Sequence, residues 1–264
     1  MRFDNRRKQF RSILNGDRCV YPGSVFDPIS SRIAEDIGFE VGMFAGSIAS
    51  FTVLGAPDVI VLTLSEFAQQ AQRINRSSEL PLMVDADHGY GNALNVKRTV
   101  EELEMAGVSG MSIEDTELPQ PFGSVGRTKL LSIPEGVGKM KAALDGRQDP
   151  NLIIAGRTSA PGVTNMEDAL ERAMAYEKVG VDAIFLVGVK TKEQLEKISD
   201  AISIPIILGG GGSSDMMDLD YLSAKNVRIC LQGHQPFSAA VKAIYDTCLL
   251  YTSPSPRHGL LSRM

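Results

Sequence analysis

The chain has no tryptophan, only three histidines and three cysteines, and no long apolar run in 264 residues. Each shortage excludes something. Cys19, Cys230 and Cys248 are too scattered for a disulfide framework or a zinc pair, which points to a reducing, cytoplasmic compartment. No apolar stretch approaches the ~20 residues needed to cross a bilayer. Basic excess is missing too: a net charge of −5 and a pI near 5.3 leave no cationic face for nucleic acid. The early cluster Arg2, Arg6, Arg7, Lys8 and Arg11 is broken by Phe3, Phe10 and Ile13, and no apolar segment follows it. It therefore reads as the polar face of a first helix and not as a targeting signal. What is present, 43% apolar and 22% charged residues, describes a soluble globule with a sizeable core.

Beyond residue 20, apolar runs of strand length alternate with amphipathic stretches. The strands expected are Val20–Val25, Val41–Ala45, Pro81–Val84, Gly110–Ile113, Leu152–Ala155, Ala183–Val187, Pro205–Leu208 and Val227–Leu231. Helical patterns lie between them at Ile29–Ile37, Ser65–Ile74, Leu94–Ala106, Pro134–Leu144, Met166–Val179, Lys192–Ala201 and Ser214–Leu222, and Pro236–Thr247 follows the last strand. Gly38, Gly107 and Gly180 stand where left-handed C-caps belong, and Ser132 and Asn165 where N-caps belong. Eight βα units with strands apolar on both faces imply a closed parallel (β/α)8 barrel of the TIM type, with a doubly wound open sheet as the runner-up. From Cys248 to Arg257 the pattern breaks, and the decapeptide resembles a translated sequencing-library adapter; a natural Pro-rich tail is the alternative. Residues 1–247 are thus expected to form one barrel domain, and 248–264 a non-native tail.

Barrels of this kind carry their chemistry at the C-terminal strand ends. There the sequence places Ser24 and Asp27, Gly46 and Ser47, Asp85, Asp87 and His88, Glu114 and Asp115, Arg157 to Ser159, Gly188 and Lys190, Gly209 to Gly212, and Gln232 to His234. Asp85 and Asp87 share a face because alternate strand residues do. With Glu114 from the neighbouring strand they would repel one another unless a cation neutralised them, and all-oxygen donors suit Mg2+ or Mn2+. N-capping or solvation is the plainer fate of any one of them. Arg157 either offsets this charge, binds an anionic substrate or makes a structural ion pair. The glycine run could bind phosphate or simply turn the chain. His234 is either a functional imidazole or a core one, and neither Cys19 nor Cys230 has a histidine at a suggestive spacing.

The stretches "VDADHGYGNALNV", "SIEDTELPQPFG", "FAGSIAS" and "LTLSEFAQQAQRI" resemble the isocitrate lyase/phosphoenolpyruvate mutase superfamily, and within it the oxaloacetate decarboxylase branch. The likeness runs from Phe10 to Asp246. It implies a (β/α)8 barrel holding Mg2+ through Asp85, with Asp58, Asp87 and Glu114 reaching the ion mainly through water. It also implies an α-keto acid substrate whose carboxylate is gripped by the Gly46 and Ser47 N–H groups, and Arg157 on the developing enolate oxygen. Family members are homo-oligomers, tetramers when intact, built by C-terminal helices that this chain is expected to lack. Superfamily lyases carry a Lys-Lys-Cys-Gly-His loop after the fourth strand; here Leu118-Pro119-Gln120-Pro121-Phe122-Gly123 has neither Lys nor Cys. Two departures touch the pocket: glycine near Gly211 replaces the branch's tyrosine, and Ser159 stands where an asparagine follows the Arg-Thr pair.

The reaction implied is Mg2+-dependent decarboxylation of oxaloacetate, with His234 orienting the leaving carboxylate or helping to protonate the enolate. The rivals are a C–C lyase acting on a 2-hydroxy or 2-methyl acid, and a keto-acid binder inactive through truncation.

Overall fold

Strand parity explains the architecture. Met43, Met83, Ile153, Ala155, Ala183, Phe185, Ile207 and Ile229 form one buried cluster, while Phe44, Leu82, Val84, Ile154, Ile184, Leu186 and Ile206 join another. Alternate residues of each strand thus fill the barrel interior and the layer beneath the surrounding helices. The computed structural model describes residues 3–121, 123, 128–210 and 214–252. Arg2, Phe122, Gly211, Gly212 and the tail from 253 onward, which carried expectations above, lie outside the described residues.

Eight parallel strands run in sequence order: β1 (Gly23–Ser24), β2 (Gly42–Phe44), β3 (Leu82–Asp85), β4 (Gly110–Glu114), β5 (Ile153–Thr158), β6 (Ala183–Leu186), β7 (Ile206–Leu208) and β8 (Val227–Cys230). A parallel bridge from Val20 to Ile229 closes the sheet on itself, with Val20 N–H on Arg228 O at 2.9 Å and Cys230 N–H on Val20 O at 3.0 Å. The helices are α1 (Asp4–Leu14), α2 (Pro28–Asp36), α3 (Gly46–Ala49), α4 (Leu64–Asn75), α5 (Ala93–Met105), α6 (Ile133–Gly146), α7 (Ala160–Val163), α8 (Met166–Val179), α9 (Lys192–Ser199), α10 (Leu219–Ala224) and α11 (Gln235–Thr252). The expected caps form: Ser132 accepts from Glu135 N–H, Asn165 accepts from Asp168 N–H at 2.9 Å, and Gly180 turns α8 off at φ 102°.

Three expectations change. Arg6 and Arg7 are not on a solvated face. They are buried, and Arg7 binds Asp149 at 2.8 Å, Val108 O at 3.0 Å and Glu104 O at 2.6 Å. Phe10 and Leu14 join the interior cluster, so α1 plugs the barrel and these arginines satisfy backbone carbonyls around the plug. The helix expected over Ser214–Leu222 is split into a 3-10 turn at Ser214–Met217 and α10, because Asp218 accepts from Asp220 and Tyr221 N–H and caps a new start. The pattern also does not break at Cys248: α11 continues to Thr252, and nothing from Thr247 to Thr252 is Gly or Pro. No helix of the described residues is long and apolar enough to cross a membrane.

Candidate active site

The interior parity that seats Met83 and Ala155 seats Asp85 and Arg157 two residues further on, at the top of the barrel. β3 and β4 pair Asp85 with Ser112, and β4 and β5 pair Glu114 with Arg157. The three charges therefore meet. Arg157 Nη1 donates to Asp85 Oδ2, and Nη2 lies 3.3 Å from Glu114 Oε2. The guanidinium stands 5.3 Å from the Phe185 ring centroid, where the ring face favours a cation. Ser112 Oγ donates to the other Asp85 oxygen at 3.0 Å, and Asp87 N–H approaches it at 3.3 Å. Asp85 is thus fixed from both sides.

Asp87 reaches the same place through a left-handed backbone, φ 48°, that folds the chain back over the strand end. Its carboxylate lies against Gly46, where any β-carbon would overlap it. Gly46 opens α3, a short helix that continues into a π-turn at Ser50–Leu54. Asp58 follows at the rim.

Two lobes of the barrel mouth meet at Ser47, Asp85 and Arg157. One, about 530 Å3, is lined by Asp58, Asp87, Glu114 and Ser159 and by Thr116, Leu118, Pro119 and Gln120 beyond β4. The other, about 470 Å3, is lined by Phe185, Gly209, Gly210, Met217, Gln232 and His234. His234 Nδ1 lies 2.9 Å from Ser24 Oγ.

Electrostatics follow from this crowding. Burial, then the charges of Asp85, Glu114 and Asp58, push the Asp87 carboxyl well above its ordinary range. Burial raises Glu114 as well, with Arg157 opposing and Asp85 adding. Asp58 is raised by desolvation and by Asp85, against a backbone hydrogen bond from Ile60 and the Arg157 charge. Burial pulls His234 down, so its ring is neutral near pH 7, although Asp85 pulls the other way.

Other candidates fall outside the mouth. Asp115 points away and binds Arg172 at 2.9 Å and the Tyr176 hydroxyl at 2.6 Å. Asp27 caps α2, accepting from Ser30 N–H at 2.7 Å. His88 is buried outside both lobes and pushed down to about 4 by burial and Lys139. The fixing role of Ser112 and the ring of Phe185 under Arg157 were not foreseen, though both stand at inward positions of their strands.

Among the described residues no three acidic, histidine or cysteine side chains stand close enough together to ligate one ion. The donor set still suits a hard divalent cation: oxygen donors only, with three carboxyls raised first by burial and then by one another's charge, which such a cation would offset.

Fold and site together define a barrel enzyme with a carboxylate-rich mouth around one arginine. The chain belongs to the phosphoenolpyruvate phosphomutase family, whose description matches residues 10–249. A protein of Rhodopseudomonas palustris (strain BisB18) named oxaloacetate decarboxylase is 57% identical over 265 residues, covering 99% of this chain and 91% of that protein. Among solved structures, oxaloacetate acetylhydrolase in complex with 3,3-difluorooxalacetate is similar with a TM-score of 0.85 and 26% identity, over 97% of this chain and 90% of that one. Phosphonopyruvate hydrolase in complex with oxalate and Mg2+ is similar with a TM-score of 0.80 and 27% identity, over 91% and 84%.

Proposed function

We propose that this chain decarboxylates oxaloacetate to pyruvate and CO2, with Mg2+ as its metal. The observation that carries the reading is the near full-length 57% identity to a protein named oxaloacetate decarboxylase. The loop beyond β4 supports it, because Leu118-Pro119-Gln120-Pro121 offers neither a cysteine nor a lysine for C–C cleavage of the lyase type. Asp85 would hold the ion, supported by Asp58, Asp87 and Glu114. When bound, the metal supplies Lewis-acid polarisation of the substrate's keto oxygen.

The protein's own groups do the rest. The Gly46 and Ser47 N–H groups at the start of α3 receive the C1 carboxylate. As the C3–C4 bond breaks, its electron pair moves onto C3 and the keto oxygen, and the C4 carboxylate leaves as CO2. Arg157, held protonated by Asp85 and Glu114, is a fixed positive charge beside that developing oxyanion. Because the charge appears only as the bond breaks, it favours the transition state over the ground state. His234, across the second lobe, orients the C4 carboxylate through Nε2, and the enolate left by CO2 takes its C3 proton from solvent. The working form is a homo-oligomer.

The test is pyruvate formation from oxaloacetate in Mg2+, with Asp85→Ala as the matched control, since free divalent metal decarboxylates oxaloacetate unaided. Turnover should exceed the control by at least about 100-fold, the scale of losing one preorganised charge. Equal rates from two folded proteins would sink the assignment, and acetate with oxalate in place of pyruvate would replace it with hydrolytic C–C cleavage.

A further inference from the structure

His234 is asked above to act through Nε2, and what decides the state of that nitrogen lies at its other side. The neutral imidazole carries one proton, and if that proton sits on Nε2 the group at Nδ1 must donate. Nδ1 faces Ser24 Oγ at 2.9 Å, the one hydrogen bond of that ring among the described residues. Ser24 is delivered there by the barrel: it follows Val20 at an even spacing on the inward face, and the Val20 to Ile229 bridge brings β8 alongside.

We propose that Ser24 is a positioning residue, its hydroxyl donating to Nδ1 so that His234 presents Nε2–H to the leaving carboxylate. Holding a carboxylate, the task given to His234, needs a proton on Nε2. A neutral ring with Nε2–H has a bare Nδ1, which can only accept, and the serine hydroxyl rotates freely to donate. A second contact steadies the same histidine. His234 immediately precedes α11, its carbonyl accepts from Ser238 N–H at 3.2 Å, and Phe237 packs 5.3 Å from Phe26 and 5.8 Å from Phe51. Phe26 lies two residues after Ser24, so the segment that carries the hydroxyl also braces the helix that carries the ring.

This rests on the role given to His234, and the experiment separates the two. The chain has three histidines, so a long-range 1H–15N spectrum of [15N]histidine-labelled protein is readily assigned with His234→Gln. In the wild type, Nε2 of His234 should carry the proton and Nδ1 should show the shift of a hydrogen-bonded acceptor. Ser24→Ala should move both nitrogens towards a mixture of tautomers and lower kcat about tenfold, with KM for oxaloacetate changed less than about twofold. Ser24→Thr, which keeps the hydroxyl, should restore both. Added to His234→Gln, Ser24→Ala should cost nothing more, because Ser24 acts only through the ring. Unchanged nitrogen shifts in Ser24→Ala, or a full further loss in the double variant, would overturn the proposal. Shifted nitrogens with unchanged kcat would leave Ser24's hold on the ring standing and remove His234 from the reaction.

Discussion

Asp87, Glu114 and Asp58 are raised by burial and crowding, so each binds its proton more tightly folded than unfolded. Between the ordinary carboxylate range near pH 4 and the raised values, the native state therefore carries more protons than the unfolded one. Stability then falls as pH rises through that interval, the opposite of a salt-bridged carboxylate. A divalent cation bound at the site would reverse the loss. In chelator, the melting temperature should be lower at a pH well above the ordinary carboxylate range than at one within it; saturating Mg2+ should raise it, and more at the higher pH. At 100 times Kd the gain is about 2.7 kcal/mol. A melting temperature indifferent to Mg2+ and Mn2+ at both pH values would remove the metal from the site. Asp85, Glu114 and Arg157 were legible in the sequence because strand alternation ends in charge after apolar residues, as in Met83 followed by Asp85 and Ala155 followed by Arg157, whereas Asp58 came from the family resemblance alone. Parity also shows why Asp115 beside Glu114 was a poor candidate: it faces the helices, where Arg172 and Tyr176 take it. The direct grip of Arg157 on Asp85 was less legible, because parity gives a face and not a partner.

At the level of elements, apolar runs bounded by turn residues located all eight strands, and capping chemistry located most helix ends. Short or uneven pieces escaped. α3 has four residues and passes into a π-turn, too little for a 3.6-residue period to register, although it carries Gly46 and Ser47. α1 was found but misjudged, since its basic residues suggest water until the barrel end offers Arg6, Arg7 and Arg11 partners. Arg7 is the one to test. It is 3% exposed and binds Asp149, itself 6% exposed, together with two backbone carbonyls. Arg7→Met keeps the aliphatic stem and strands Asp149 and the carbonyls, which should cost about 3–5 kcal/mol. Urea unfolding should show that loss with an unchanged m-value, while KM for oxaloacetate stays put, since the plug lies opposite the mouth. A loss below about 1 kcal/mol would mean that water replaces the guanidinium and that the plug is held by Phe10 and Leu14 alone.

At the scale of the whole molecule, α11 is the anomaly. None of its residues is buried, yet Val241, Ile244, Tyr245 and Leu249 recur at helical spacing and are 44–64% exposed. α2 shows a matching defect: Ile29, Ile33 and Ile37, one turn apart, are 68%, 54% and 69% exposed. Two exposed apolar stripes of this kind are what an isolated globule avoids and an interface between subunits uses. Phe237 at the root of α11 packs on Phe26 and Phe51, so covering α11 would also steady His234. Light scattering after size exclusion should therefore give a mass well above the 28.5 kDa of one chain. Ile33→Glu and Ile244→Glu, each placing a charge on one stripe, should each shift that mass towards the monomer. Both changes leave the barrel interior untouched, so circular dichroism should hold steady. If the stripes serve assembly and assembly steadies the root of α11, kcat should fall with the mass and recover as protein concentration rises. A monomer in all three proteins, with equal kcat, would mean that these stripes meet no second copy and that the Phe237 contacts alone anchor α11.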